Sequence, residues 1–263
     1  MINEEYRAQL VSQCREWVDD VSLAVGLLTR VPMPHPVAAT PDRMARAQRA
    51  FPLVGALIGL VVGLLDRGLL AVGVPVLAAA ALALGAGAVL TGALHEDGLA
   101  DVGDGFGGGR DKAAKLAIMR DSRLGTYGML ALLVGFIARA SALASLPLTA
   151  ILPALVVAHT LGRAVIPVLS ANMPFAREDG LGRSAGRPDL ASAIIAVVIG
   201  VVITLLCLTT AHALIAMLVA IVGAAAVAGL AWRQIAGVTG DVFGAAEQVV
   251  EALVLLTLAA LHS

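Results

Sequence analysis

The sequence predicts an all-α, polytopic integral membrane protein: a bundle of about six to eight membrane helices, including a short interfacial or re-entrant helix near the N-terminus. Three observations carry this. The 263 residues are 59% hydrophobic and only 14% charged, where a soluble domain has about 25% charged residues, and the mean hydropathy is +0.90. Several apolar runs approach twenty residues, the length that crosses a hydrocarbon core of ~30 Å. Basic residues fall into clusters separated by pairs of such runs. The formal net charge of −1 offers no basic field for nucleic acid.

Residues 1–50 are polar and mixed in charge, with Arg7, Arg15, Arg30, Arg43, Arg46 and Arg49. The opening "MINEEYRAQL" does not read as a secretory signal. The stretch 21–34, "VSLAVGLLTRVPMP", is too short to span and ends in Pro32 and Pro34, so it reads as an interfacial or re-entrant helix. Spans follow at about 51–73, 74–94, 126–146, 149–170, 190–210, 212–231 and 247–262. Gly55, Gly59 and Gly63 recur every fourth residue in the first, a small-residue stripe for close packing, expected inside the molecule. Cys14 and Cys207 are far apart and fit neither a disulfide framework nor a zinc spacing. No repeat or low-complexity linker divides the chain, so 1–263 reads as one membrane-embedded domain, with 1–50 as its cytoplasmic or interfacial segment.

The basic clusters lie before 51, between 110 and 123, between 177 and 187, and at Arg233; the turns "AVGVP", "SLPLT" and "TTAHA" lack Lys and Arg. A pair of spans returns the chain to its starting face, so all four clusters share one side, and the positive-inside rule makes it cytoplasmic.

On that side lies "HEDGLADVGDGFGGGR" (95–110). Asp97, Asp101 and Asp104 stand at i, i+4 and i+7, which on a helix is one narrow face. Three like charges there repel unless a cation joins them. Oxygen donors without thiols suit magnesium, manganese or calcium. Glu96 sits about 100° round the helix from Asp97 and is the weaker ligand. The alternative is a solvated acidic loop, since Gly98, Gly103 and Gly105 weaken a helix. The glycine run, with Gly107 and Gly108, offers backbone that can approach a ligand closely, or only a hinge; it matches no P-loop. Lys112, Lys115, Arg120 and Arg123 follow. Acids, glycines and bases in succession read as a metal–diphosphate site.

Further candidates are ambiguous on sequence alone. Asp121 is either a metal ligand or a partner of Arg120 or Arg123. Ser122 and Thr126 bond phosphate or cap the next helix. Arg163 binds an anion or neutralises the acids, and His159 reads as an interhelical hydrogen-bonding residue. Asp66–Arg67 reads as a local pair or turn. His35, His212 and His262 have no evident partner. "PFAREDGLGRSAGR" (174–187) and "GVTGDVFGAAEQ" (237–248) are two more polar loops on the same face, the second with Asp241 and Glu247.

"HEDGLADVGDGFGGG", "IMRDSRLGTYG", "FAREDGLG" and "TGDVFGAAE" together resemble the cobalamin synthase family, the adenosylcobinamide-GDP ribazoletransferases, in order and spacing. "LLTRVPMP" and "FPLVGALIG" resemble its N-terminal pattern, so the likeness covers about 23–250. The resemblance implies the final nucleotide-loop assembly of vitamin B12. A ribose hydroxyl of α-ribazole, or of its 5′-phosphate, would attack the cobinamide-side phosphorus of adenosylcobinamide-GDP and release GMP. It implies Mg²⁺ and a multi-pass protein of the cytoplasmic (inner) membrane. Partners would be those substrates and membrane lipid, with room for a homo-oligomer or for contact with other late cobalamin-pathway enzymes. Carried onto this chain, it singles out His95, Asp97, Asp101 and Asp104; Arg120, Asp121, Ser122 and Arg123; Arg177 and Glu178; and Asp241 and Glu247.

On this reading Asp97, Asp101 and Asp104 hold Mg²⁺, with Glu96, Asp121 and Asp241 as further ligand candidates. Arg120 and Arg123 stabilise transferred and departing charge, and a carboxylate or His95 takes the hydroxyl proton. Arg163, Arg177, Glu178, Gly107, Gly108, Ser122, Asp241 and Glu247 are the remaining substrate-binding candidates. A corrinoid calls for a wide cavity. Rival readings fit less well. The CDP-alcohol phosphotransferases carry an Arg and a longer gap that "DGLADVGD" lacks, and UbiA-like prenyltransferases are only faintly imitated. A cation transporter would place its acids near mid-bilayer.

Overall fold

The computed structural model describes residues 4–33 and 38–262. His35 and Pro34 lie outside the described residues. The chain is helical throughout: α1 Glu4–Leu28, α2 Pro41–Ala47, one 3-10 turn at Gln48–Ala50, α3 Phe51–Ala71, α4 Val76–Thr91, α5 Leu94–Gly108, α6 Lys112–Ile118, α7 Thr126–Ser145, α8 Leu148–Asn172, α9 Leu181–Ser184, α10 Leu190–Cys207, α11 Thr210–Ile235 and α12 Gly240–His262. Among the described residues, six helices are long and apolar enough to cross a membrane, or seven if the bent pair α4–α5 counts as one span.

Two of these helices form the centre. The apolar windows of α8 and α12 are 72% buried, against 28% for α7 and α10. The outer helices turn Leu57, Val61, Leu64, Val134, Ile137, Val198, Leu206, Leu218 and Ile221 outward. Apolar exposure on that scale belongs against lipid, not water. The glycine stripe of α3 meets α8, inside the molecule. A Cβ on Gly59 would lie 2.7 Å from Val156 Cα, and one on Gly63 2.7 Å from Leu152 Cδ1. Absent side chains let the two backbones touch.

Four expectations need correction. The helix expected over 21–34 begins at Glu4 and ends at Leu28, ahead of both prolines. Its middle turns are not short of partners: Asp20, fully buried, receives Arg46 Nε at 3.2 Å and Arg49 Nε at 2.7 Å, Glu16 pairs with Arg46 at 3.2 Å, and the Arg49 guanidinium lies 4.1 Å from the Trp17 ring centre. Hydropathy does not register ion pairs made across sequence. The span expected over 74–94 is a 16-residue helix, about 24 Å long. The chain then bends by 94° through two left-handed residues, Gly92 (φ 68°) and Ala93 (φ 55°). The stretch beyond is helix α5, not a loop. Similarly, most of the polar loop expected at 237–248 is the first turns of α12, so the last span starts at Gly240 rather than near 247. Finally, Asp66–Arg67 is neither turn nor pair. It lies within α3, and Asp66 is buried with no ion-pair partner among the described residues.

A carboxylate cleft above a buried ion network

The spacing of the first motif has its predicted consequence: α5 is helical from Leu94 to Gly108, and its aspartates share a face. Glycine sets where that face goes. A Cβ on Gly98 would lie 3.0 Å from Asp241 Cα, and one on Gly244 would lie 3.0 Å from the His95 carbonyl oxygen. This backbone contact between α5 and α12 delivers Asp241 to the aspartates of α5: the charges around Asp101 are Asp241, Asp97, Arg177 and Asp104.

Arg177 comes from the 174–187 segment. Backbone bonds Ala176 N–H to Val238 O at 2.8 Å and Val238 N–H to Pro174 O at 2.9 Å tie that segment to the start of α12. The Arg177 Nη2 donates to Asp241 Oδ2 at 3.2 Å, and the Thr239 hydroxyl donates to the same oxygen at 3.1 Å. Its Nε and Nη1 are buried and make no hydrogen bond. Buried donors of that kind are costly unless something accepts from them. Nε faces Asp179 Oδ1 at 3.7 Å. Arg177 lines a half-open cavity of about 150 Å³, with His95, Asp97 and Asp241 on its polar side and Leu27, Phe51, Ile166 and Phe243 on its apolar side.

The other candidates around this cleft have partners of their own. Asp104 accepts the backbone N–H of Gly125 at 2.7 Å and of Gly128 at 2.8 Å. It caps α7, the task expected of Ser122 or Thr126; Ser122 is exposed and Gly125 stands at the N-cap. Asp121 accepts from the Arg123 side chain at 2.5 Å and from its backbone N–H at 3.1 Å. Those bonds hold its carboxyl at about 2. Arg120 forks onto Asp179 at 2.5 and 2.7 Å and holds that carboxyl below the usual range. Glu178 is exposed and pairs with Arg183 at 3.2 Å. Gly107 and Gly108 are helical rather than looped, and a Cβ on Gly107 would lie 2.6 Å from Tyr127 Cγ. Gly107 is thus packed against an aromatic ring, while Gly108 stays exposed.

Deeper along α12, about 9 Å past Asp241, the charges change character. Glu247 and Glu251 are fully buried and both accept from Arg163, itself 2% exposed. His159 joins Glu251. Arg139 of α7 reaches Glu251 at 3.1 Å and Glu96 at 3.9 Å. Gln248 donates to Glu96 at 3.3 Å and to Glu247 at 2.9 Å. His95 Nδ1 stands 3.2 Å from Glu247 Oε2. Arg163, Glu247 and Glu96 thus sit in an ion network below the cleft. Arg163 and Glu247 do not line the cavity.

Among the described residues, His159, Glu247 and Glu251 are the one trio of potential metal ligands within 4.8 Å of one another, but the Arg163 guanidinium already occupies their centre. Sequence reasoning passed over Arg139, Gln248 and Glu251. Ionisable residues inside apolar spans were the available signal, though nothing in the order of residues pairs them. His212 and His262, unpartnered in sequence, meet edge to face with ring centres 5.3 Å apart at the far end of the bundle.

Fold and site together define a class: a polytopic helical membrane protein whose polar cleft sets several carboxylates beside a half-buried guanidinium. Comparison with known proteins narrows this. Residues 20–259 match the family model described as cobalamin-5-phosphate synthase, and the chain belongs to that family. A relative from Bradyrhizobium diazoefficiens, named adenosylcobinamide-GDP ribazoletransferase, is 43% identical over 248 residues, covering 94% of this chain and 95% of the relative. A Sinorhizobium relative of the same name is 42% identical over 258 residues, 93% and 97% of the two chains, and one from Mesorhizobium japonicum is 42% identical over 243 residues, 92% and 93%. No solved structure matches.

Proposed function

We propose that this protein is the transferase its relatives are named for, joining α-ribazole or α-ribazole 5′-phosphate to adenosylcobinamide-GDP and releasing GMP. The observation that carries the chemistry is the cleft where Arg177, whose buried Nε and Nη1 complete no hydrogen bond, meets the carboxylates of Asp97, Asp101 and Asp241. Unspent guanidinium donors suit phosphate oxygens. The cavity, about 150 Å³, is smaller than the ~300–1,000 Å³ of a typical small-molecule pocket. It suits the diphosphate end of the substrate, with the corrin ring remaining outside.

Asp97, Asp101 and Asp241 are the residues we assign to Mg²⁺. Their donors are all hard oxygens, and three carboxylates against one guanidinium leave a charge that a divalent ion balances. No three of them stand within 4.8 Å among the described residues, so as arranged at most two would hold the ion directly, with waters and substrate phosphates completing its shell. Bound there, the ion supplies neutralisation of diphosphate charge. Asp104, Asp121 and Glu96 have the structural partners described above and stand behind this set.

The chain's own residues do the rest. Arg177 holds the diphosphate. The acceptor hydroxyl oxygen forms a bond to the cobinamide-side phosphorus, the bond from that phosphorus to GMP breaks, and the hydroxyl proton passes to a carboxylate of the cleft or to His95 at the cavity wall. Arg120 and Arg123, now paired with exposed acids, are available to the departing GMP. The positions of the basic clusters support a cytoplasmic orientation for this end of the bundle, in the inner membrane.

The test is turnover by the purified protein in lipid, supplied with adenosylcobinamide-GDP, α-ribazole 5′-phosphate and Mg²⁺, with GMP and corrinoid product followed by chromatography. Product that disappears with EDTA and in a folded Asp97→Asn/Asp101→Asn variant supports the site. Product indifferent to both removes the metal assignment, and no product from folded wild type removes the function.

A further inference from the structure

We infer that the corner formed by α6 and the adjoining ends of α7 and α11 is a docking site for the headgroup of an anionic phospholipid. The inference goes beyond the transferase reading and does not rest on it. Most cations at this end of the bundle are already matched: Arg46, Arg49, Arg120, Arg123, Arg177 and Arg183 each hold a carboxylate. Arg110, Lys112, Lys115 and Arg233 make no ion pair among the described residues. Asp111, the acid that stands between the first two, accepts the Ala114 N–H at 2.9 Å and caps α6. Lys112 and Lys115, expected from the sequence to serve the diphosphate, line no part of the cleft cavity, and neither does any other residue of α6.

Local packing gathers these groups. The Tyr127 ring lies against Gly107, and the Lys115 stem lies against Gly109 two residues further on. Arg110 follows directly. On its other side α6 packs against α11, whose last turn carries Trp232 and Arg233. Four cations thus stand between two aromatic rings.

The rings set the depth. The chain has two Trp and two Tyr. Tyr6 and Trp17 belong to α1; Tyr127 and Trp232 stand at the ends of two apolar spans, and each is 56% exposed. Trp and Tyr gather where hydrocarbon meets headgroups. Leu130 of α7 and Leu230 of α11 are exposed beside them, on the side where acyl chains lie. Cations next to such rings stand at headgroup depth, where unmatched positive charge attracts anionic lipid. A soluble phosphate answers the cations alone. A phospholipid answers the cations with its headgroup and the leucines with its chains.

Trp232 reports on the site directly, because Trp17→Phe leaves it as the one tryptophan and keeps a ring beneath Arg49. That protein is placed in bilayers of phosphatidylcholine and phosphatidylglycerol, with a nitroxide quencher near the headgroup of one lipid or of the other. Each Lys or Arg at an anionic surface contributes about fivefold in affinity, so phosphatidylglycerol should be preferred at Trp232 by at least about tenfold. Arg110→Gln/Lys112→Gln/Lys115→Gln should bring the preference to within about twofold of none. A control with the same loss of charge, Arg15→Gln/Arg43→Gln/Arg183→Gln, should keep it. If the triple variant does not fold, Lys112→Gln alone, at an exposed position, should lower the preference about fivefold. No preference in the parent protein, a preference retained without the α6 cations, or an equal loss in the control overturns the inference. So does its abolition by millimolar glycerol phosphate, which would assign the corner to a soluble anion. No readout here involves turnover, so failure of this inference leaves the transferase reading standing, and failure of that reading leaves this one.

Discussion

Replacing Arg163 with Met tests whether the buried network holds the bundle together. Arg163 is 2% exposed and bonds Glu247 and Glu251, two fully buried carboxylates on α12. Without Arg163 the two carboxyls lose the partner they share, leaving His159 and Arg139 as the basic groups beside Glu251 and no guanidinium on Glu247. Breaking a buried pair by removing one partner costs about 3–5 kcal/mol. At about 1.4 kcal/mol per decade, that is roughly a 10²- to 10⁴-fold shift towards the unfolded state. Unfolding in mixed micelles of increasing SDS fraction, followed by far-UV circular dichroism, measures it. The triple variant Arg163→Met/Glu247→Gln/Glu251→Gln removes the stranded charges and leaves Arg139 with Glu96. It should regain most of the lost stability, because the penalty lies in the unpaired charges and not in lost attraction. A single variant within about 1 kcal/mol of wild type, or a triple variant no more stable than the single, refutes the reasoning.

Three smaller perturbations address the elements around the cleft. Asp104→Ala removes the acceptor for two backbone N–H groups at the start of α7 and should cost about 1–2 kcal/mol in the same titration, while Asp104→Asn, retaining one oxygen, should cost less. Gly59→Ala puts a Cβ 2.7 Å from Val156 Cα and 2.8 Å from the Leu155 carbonyl carbon, so α3 and α8 must separate at about 1–3 kcal/mol; Gly68→Ala, in the same helix with open space around it, should be neutral or slightly stabilising. Asp121, held at about 2 by Arg123, has a depressed folded pKa, so its contribution is intact above the ordinary value of ~3.9 and fades only as pH falls towards 2. Asp121→Asn should therefore leave any acid limb of the activity profile above pH 4 where it was, and a shifted limb would show that the pair is absent in solution.

Sequence alone determined the class of fold, the number of spans to within one or two, and the helical face of Asp97, Asp101 and Asp104. Hydropathy and residue spacing are local properties, and a membrane enforces them strictly: each crossing must satisfy its own backbone, so length and apolarity declare the helix. The motifs also carried the family. Tertiary structure alone decided what each charge is for. Asp241 reaches the α5 aspartates because Gly98 and Gly244 let two backbones meet. Glu247, Glu251, Arg163 and Arg139 form one network because the two central helices and α7 turn those residues towards one another. The long N-terminal helix and the 94° bend before α5 belong to the same category. One depends on ion pairs made between α1 and residues some thirty positions later, the other on two left-handed residues between apolar and acidic segments. Contacts between distant positions leave no period in a sequence, so the partner of a buried charge becomes known only when the helices are packed.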